Sequence, residues 1–232
     1  MKKIINYSVK PESKIQNEII EYLELRKWYV RILHGNAHQS GMPDLFICRR
    51  SMGWRFVEVK QPKAYIFTEN QAIDFPKFQK EGVGIWVLTA ATDHEYMKLS
   101  APANWWHYFE PTKIRSPKDK KKPPDEVGPE AIIQRAIVAR LELEGWFVKR
   151  VHCDVFQVGL PDLLACKRGE GFRWIEVKNP TRYKFTGAQY ECFPRLMSEG
   201  VGVWILIGDS DSEINKLKGP PNWTDYLKGA SL

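Results

Sequence analysis

Adding 118 to a residue number in the first half of this chain gives its counterpart in the second, without a gap, from about Val9/Val127 to about Tyr108/Tyr226. Pro11-Glu12 returns as Pro129-Glu130, Ile15-Gln16 as Ile133-Gln134, and Leu23-Glu24-Leu25 as Leu141-Glu142-Leu143. Further on, Gly41 matches Gly159, Pro43-Asp44-Leu45 matches Pro161-Asp162-Leu163, and Glu58-Val59-Lys60 matches Glu176-Val177-Lys178. Phe67-Thr68 pairs with Phe185-Thr186, and Asn104-Trp105 with Asn222-Trp223. About 45 of 100 paired positions are identical, far above chance for unrelated segments, so the chain is a tandem duplication.

A unit of about 100 residues is large enough for a core of its own, unlike a short solenoid repeat. The sequence therefore predicts two domains, 1–110 and 127–232. Between them, 111–126 is rich in lysine and proline (Pro111, Pro117, Lys120-Lys121-Lys122-Pro123-Pro124) and lacks hydrophobic periodicity, which is the composition of a linker. At ~3.1 Å per residue it could reach on the order of 50 Å, enough for side-by-side or face-to-face arrangements.

Within one unit, Ile15, Ile19 and Leu23 recur every four residues over Pro11 to Arg26, the pattern of an amphipathic helix behind an N-terminal proline. Trp28 to His34 reads as a strand. Asp44 to Arg49 and Trp54 to Lys60 are β-rich runs joined by Arg50-Ser51-Met52-Gly53, a turn that makes them an antiparallel hairpin. Thr68 to Lys80 reads as a helix and Gly84 to Leu88 as an apolar strand. The expected class is α/β, each unit a mixed sheet in the core order αβββαβ. Pro76 and Pro194 interrupt the second helix of each unit, and a break is expected there, because an interior proline removes a hydrogen bond and kinks the axis.

Composition narrows the class of function. Of 232 residues, 43% are apolar and 27% charged, which suits a soluble globular protein rather than a disordered chain. No run approaches the roughly 18 apolar residues that a membrane span needs, and the N-terminal residues lack the apolar stretch of a secretory signal, so no membrane partner and a cytoplasmic location are expected. Cys48, Cys153, Cys166 and Cys192 form no CxxC pair, which argues against a structural zinc site or a disulfide framework. A net charge of +7 permits a polyanionic partner without requiring one.

The chemistry concentrates in the hairpin. Side chains alternate across a strand, so Glu58 and Lys60 share one face while Val59 points to the other, toward the core. If the chain turns near Ser51-Met52, Asp44 lies opposite the Glu58 to Lys60 end. Two carboxylates and an ammonium then converge, and the lysine is expected to face a cleft. Hard divalent ions take oxygen ligands and keep some water, which Asp44, Glu58 and the Val59 carbonyl could supply, as could Asp162, Glu176 and the Val177 carbonyl. Such an ion lowers the pKa of a bound water and clamps a scissile phosphate, with the lysine beside the developing charge. The bland alternative is a Pro-Asp turn with a cross-strand Glu/Lys surface pair. Retention of all three residues at identical spacing in two diverged copies weighs against it.

Pro-Asp followed, after a short hairpin, by Glu-Val-Lys resembles the PD-(D/E)XK nuclease superfamily. Glu12-x-x-Ile15-Gln16, Gly41-x-Pro43-Asp44, Glu58-Val59-Lys60-x-Pro62 and Phe67-Thr68-x-x-Gln71 make the unit most similar to its virus-type replication-repair nuclease (VRR-NUC) family. The resemblance covers nearly all of each unit but not the linker. It implies two tandem restriction-endonuclease-like domains, dependence on Mg2+ or Mn2+, and action on DNA, often branched or flapped. It makes Asp44, Glu58, Asp162 and Glu176 metal ligands, and Lys60 and Lys178 catalytic lysines.

Other positions carry two readings each. Glu12 and Gln16, with Glu130 and Gln134, fall on or beside the apolar stripe of the first helix and are favoured over Glu18, whose counterpart is Ala136, as additional active-site residues. Glu12 is equally a first-turn acid favoured by the helix dipole. Gln71 and Gln189 match the family glutamine that touches phosphate or lysine, yet Thr68-x-x-Gln71 and Thr186-x-x-Gln189 are also capping boxes. His34 and His152 read as structural histidines, and Trp28/Trp146 and Trp86/Trp204 as core. Lys63, Arg182 and Lys184 are candidates for phosphate contacts.

Three functions follow as expectations. The first is a structure-selective endonuclease in which one chain supplies, as an intramolecular pseudo-dimer, the pair of centres that a resolvase assembles from two subunits; a homo-oligomer is the other arrangement. The second is a restriction-type nuclease acting on intact duplex. The third is a DNA-binding module on an inactive nuclease scaffold, whose signature would be a lost carboxylate or lysine in one unit.

Overall fold

The computed structural model describes residues 11–33, 41–115, 128–151 and 158–229. In the first half these form α1 (Glu12–Leu25), β1 (Tyr29–Ile32), β2 (Leu45–Arg49), β3 (Gly53–Val59), β4 (Phe67–Thr68), α2 (Glu69–Lys80), β5 (Ile85–Leu88), α3 (Asp93–Met97) and β6 (Ile114–Arg115). The second half gives α4 (Pro129–Leu143), β7 (Phe147–Arg150), β8 (Leu163–Lys167), β9 (Gly171–Val177), α5 (Gly187–Ser198), β10 (Val203–Leu206) and α6 (Asp211–Asn215). The protein is thus mixed α/β. Both large sheets are mixed: β1, β2 and β3 are antiparallel neighbours and β5 joins β3 in parallel, and β7 to β10 repeat that arrangement. His34 and His152 lie outside the described residues, as does 116–126 of the stretch read as a linker.

Strand alternation divides each sheet into two apolar faces. On one face of the first sheet, Leu45, Ile47, Val57 and Val59 pack under the α1 stripe of Ile15, Ile19 and Leu23. The other face presents Phe46, Cys48 and Phe56 toward α2, whose Phe75 and Phe78 are fully buried. Trp28 and Trp146 are buried as expected, whereas Trp86 is only half-buried.

Neither α2 nor α5 breaks at its proline. Each runs unbroken for 12 residues through Pro76 or Pro194. The reason is placement: both prolines sit on the exposed side, where the carbonyl deprived of its partner can turn to water, while Phe75/Phe78 and Phe193/Leu196 anchor the helix on the buried side. The stretch read as a linker also begins with structure, since Ile114–Arg115 pair in parallel with Phe67–Thr68.

The halves share a core as well as having their own. One cluster belongs to the first half and another to the second, but the largest runs continuously from Phe46, Phe56 and Phe78 to Phe172, Trp174 and Phe193. Phe46 meets Trp174 edge-on at 5.4 Å between ring centroids, Trp54 meets Phe172 at 4.3 Å, and Phe78 meets Phe147 at 4.9 Å. The contacts obey the 118-residue offset in both directions. Arg50 N–H donates to Glu199 Oε2 at 2.9 Å and Arg168 N–H to Glu81 Oε2 at 2.9 Å. Lys77 lies over the Phe147 ring, and Arg195 over the Tyr29 ring. Reciprocity of this kind defines an isologous contact, here between two halves of one chain.

Candidate active site

The hairpin register places Leu45 opposite Val57, so Asp44 falls beside the Glu58 end of β3. Asp44 Oδ2 accepts the Val59 N–H at 2.7 Å, and Asp162 Oδ2 accepts the Val177 N–H at 2.8 Å. From the other side, Leu33 N–H donates to the Asp44 carbonyl at 2.8 Å and Val151 N–H to the Asp162 carbonyl at 2.7 Å. Each aspartate is therefore fixed by two strands. The turn before it needs glycine. Gly41 has φ +89° and Gly159 φ +90°, the left-handed region, and a Cβ there would meet Asp74 Oδ2 at 2.2 Å or the Ala188 carbonyl at 2.5 Å.

Glu58 is the centre of the arrangement. Its Oε1 receives Lys60 Nζ at 2.6 Å and Gln71 Nε2 at 2.6 Å. Glu176 repeats this with Lys178 at 2.5 Å and Gln189 at 2.5 Å. The second oxygens, Glu58 Oε2 and Glu176 Oε2, are buried and have no hydrogen-bond partner among the described residues. Gln71 and Gln189 form the capping boxes that the sequence offered, and their amide nitrogens meet the glutamate, a partner other than the phosphate or lysine that the resemblance implied. Oε1 accepts the Thr68 or Thr186 N–H as part of a complete capping box, and Nε2 donates to the glutamate.

The lysine does not face a cleft. Lys60 is 4% exposed and Glu58 fully buried, with Lys178 and Glu176 nearly as enclosed. Alternation placed these groups on one face correctly but carried no information about what covers it. Phe67 and Phe185 do part of that, with the ammonium groups 5.0 and 5.4 Å from their ring centroids. The sequence showed both aromatics retained across the duplication but did not assign them the role of covering the lysine.

Burial sets the electrostatics. Desolvation raises the Asp44 carboxyl above its usual range, and Lys60 and the Val59 N–H offset only part of the rise. Glu58 is raised further, by desolvation and then by the Asp44 charge, against the pull of Lys60 and Gln71. Glu176 follows the same pattern with Asp162, Lys178 and Gln189. Burial alone would lower Lys60, but Glu58, Asp44 and Glu12 outweigh it and hold the ammonium above its ordinary value.

The remaining candidates divide. Glu130 Oε1 stands 4.0 Å from Lys178 Nζ, and Glu12 contributes to the field at Lys60 and Asp44, so these exposed first-turn acids border the two centres. Gln16 is buried on the α1 stripe and Gln134 half-buried. Lys63, Arg182 and Lys184 are exposed.

Among the described residues, no group of three or more His, Cys, Asp or Glu side chains is gathered as a metal cluster. Each centre instead offers two carboxylates, one with an orphaned buried oxygen. That donor set suits a hard divalent cation: an ion accepts the unpaired oxygen and relieves the repulsion between the acids. No helix among the described residues is long and apolar enough to cross a membrane. Compared with models of known families, with curated proteins and with solved structures, the chain matches none.

Proposed function

We propose that this protein is a divalent-metal-dependent DNA endonuclease with two centres, Asp44/Glu58/Lys60 and Asp162/Glu176/Lys178, in an intramolecular pseudo-dimer of two restriction-endonuclease-like units. The observation that carries the reading is the paired burial of Glu58 Oε2 and Glu176 Oε2 without partners, each beside a second carboxylate and a lysine. A buried carboxylate oxygen with no donor is costly, by about 1–3 kcal/mol or more, and in both copies that cost is retained.

Asp44 with Glu58, and Asp162 with Glu176, would hold Mg2+ or Mn2+, which when bound would supply Lewis-acid activation of water and of the scissile phosphate. The chain's own groups do the rest. Val59 N–H and the Leu33 contact orient Asp44, while Gln71 fixes the Glu58 rotamer from a capped helix end. Lys60, charged in spite of burial, supplies positive charge for the anionic phosphate in the transition state. Both centres keep the full set, which favours catalysis over binding alone, and two symmetry-related centres suit branched or four-way DNA, whose strands are themselves paired.

The test is cleavage of a supercoiled plasmid bearing an extruded cruciform, with Mg2+, Mn2+ or EDTA. Metal-dependent linearisation is expected, and Asp44→Asn or Asp162→Asn alone should convert it to nicking. If one substitution abolishes all cutting and the other changes nothing, only one unit is catalytic and the pseudo-dimer reading fails.

A further inference from the structure

The first strand of each half carries a long cation at the matching position, Arg31 on β1 and Lys149 on β7, 118 residues apart, with Arg150 following Lys149 on β7. Both reach into the opposite half. Arg31 Nη2 donates to the Val158 carbonyl at 2.6 Å, one residue before Gly159 and four before Asp162. Lys149 Nζ meets Asp74 Oδ2 at 2.7 Å, and that same oxygen packs against Gly41, three residues before Asp44. A methyl group at 41 could not fit between them. Each cation therefore bears on the turn that delivers the other half's aspartate.

We infer that Arg31 and Lys149 are positioning residues in trans, Arg31 for the second centre and Lys149 for the first; their catalytic meaning rests on the nuclease reading, whereas the bracing itself does not. The physical argument is one of fixation from both sides. Within its own half, each aspartate has its carbonyl held by the residue following the first strand and its carboxylate held by the third strand. What precedes the aspartate is a left-handed glycine turn, which strand pairing does not hold. A displacement of the order of 1 Å there would move a metal-ligating carboxylate out of reach of its partner glutamate. The cross-half cation restrains that turn, so each centre is complete only when the halves are assembled.

The two braces differ chemically. Lys149 acts through an ion pair with a buried aspartate that also receives Lys77 at 3.1 Å. At the position matching Asp74 stands Cys192, so Arg31 has no carboxylate there, and its Nε is buried without a hydrogen-bond partner among the described residues. The second brace is then a single bond to a main-chain carbonyl.

A crossed experiment tests the inference on the full chain. With Asp44→Asn only the second centre can cut; there Arg31→Ala should lower nicking by about tenfold or more, and Lys149→Ala should leave it within about twofold. With Asp162→Asn the pattern should reverse. Arg31→Lys, which keeps a donor at 31, should recover most of the loss. Equal losses in both backgrounds would mean that the cations serve only the interface, and no loss in either would remove the positioning role. Hydrogen exchange without metal supplies a readout that needs no cutting. Amides of 159–163 should exchange faster in Arg31→Ala while those of 41–45 do not change, with the converse for Lys149→Ala. Crossed exchange in a protein that cuts nothing would overturn the nuclease reading and keep the bracing. Cutting with no crossed pattern would overturn the bracing alone.

Discussion

At the scale of single residues, Glu58 concentrates the proposed chemistry and its cost. Folding raises the Asp44 and Glu58 carboxyls above their unfolded values, chiefly by desolvation. The folded protein therefore binds more protons than the unfolded chain from the ordinary carboxylate range up to the raised values, and metal-free stability falls as pH rises through that interval. A divalent cation favours the ionised pair and offsets the loss. The midpoint shift produced by Mn2+ relative to EDTA in calorimetry should accordingly be larger near pH 8 than near pH 6. A shift independent of pH would place the ion elsewhere. Gln71 makes a second prediction, because its oxygen caps α2 and its nitrogen holds Glu58. Gln71→Glu keeps the cap acceptor but sets a second carboxylate against Glu58, so cleavage at the first centre should fall steeply while helix content holds. Gln71→Ala should also cost about 1 kcal/mol of stability in urea titration through loss of the cap. The sequence showed which face Glu58 and Lys60 share, because alternation follows from covalent geometry. It did not show their burial, which depends on Phe67 and α2 folding over them.

At the scale of elements, the prolines of α2 and α5 set local rule against tertiary context. A proline in a helix interior costs about 3 kcal/mol relative to alanine in model helices, and here the helix continues because its apolar side is anchored. Pro76→Ala should restore the amide donor toward the Ala72 carbonyl, at the expense of about 1 kcal/mol of greater unfolded-chain freedom. The expected net gain is on the order of 1 kcal/mol, and Pro194→Ala should add a similar amount, since the two helices lie in different halves. A urea midpoint that rises with an unchanged slope would show this, and a fall would mean that the ring itself is needed by the packing. Strands and helices with strong periodicity, such as α1 and the hairpins, were readable to within one or two residues. The β4–β6 pairing was not, because two residues at the edge of a Lys/Pro-rich stretch carry no alternation to read.

At the scale of the whole molecule, the duplication was evident from the sequence but the contact it makes was not. Phe46, Phe56, Phe172 and Trp174 alternate along their strands as any core residues do, and nothing in a strand pattern distinguishes a face covered by its own helix from one shared with a second sheet. The shared cluster makes the halves thermodynamically dependent on each other. Unfolding should be a single cooperative transition, with calorimetric and van't Hoff enthalpies equal, rather than two steps. Trp174→Ala removes a fully buried ring that touches Phe46 across the interface and should cost about 3–5 kcal/mol while keeping the transition single. Trp174→Phe is the control. It installs the ring type present at the matching position 56 and removes an indole N–H that is buried without a partner, so its cost should be much smaller. If Trp174→Ala instead splits the melt so that the first half retains its original midpoint, the halves are independent domains, and the centres would have no structural reason to act together.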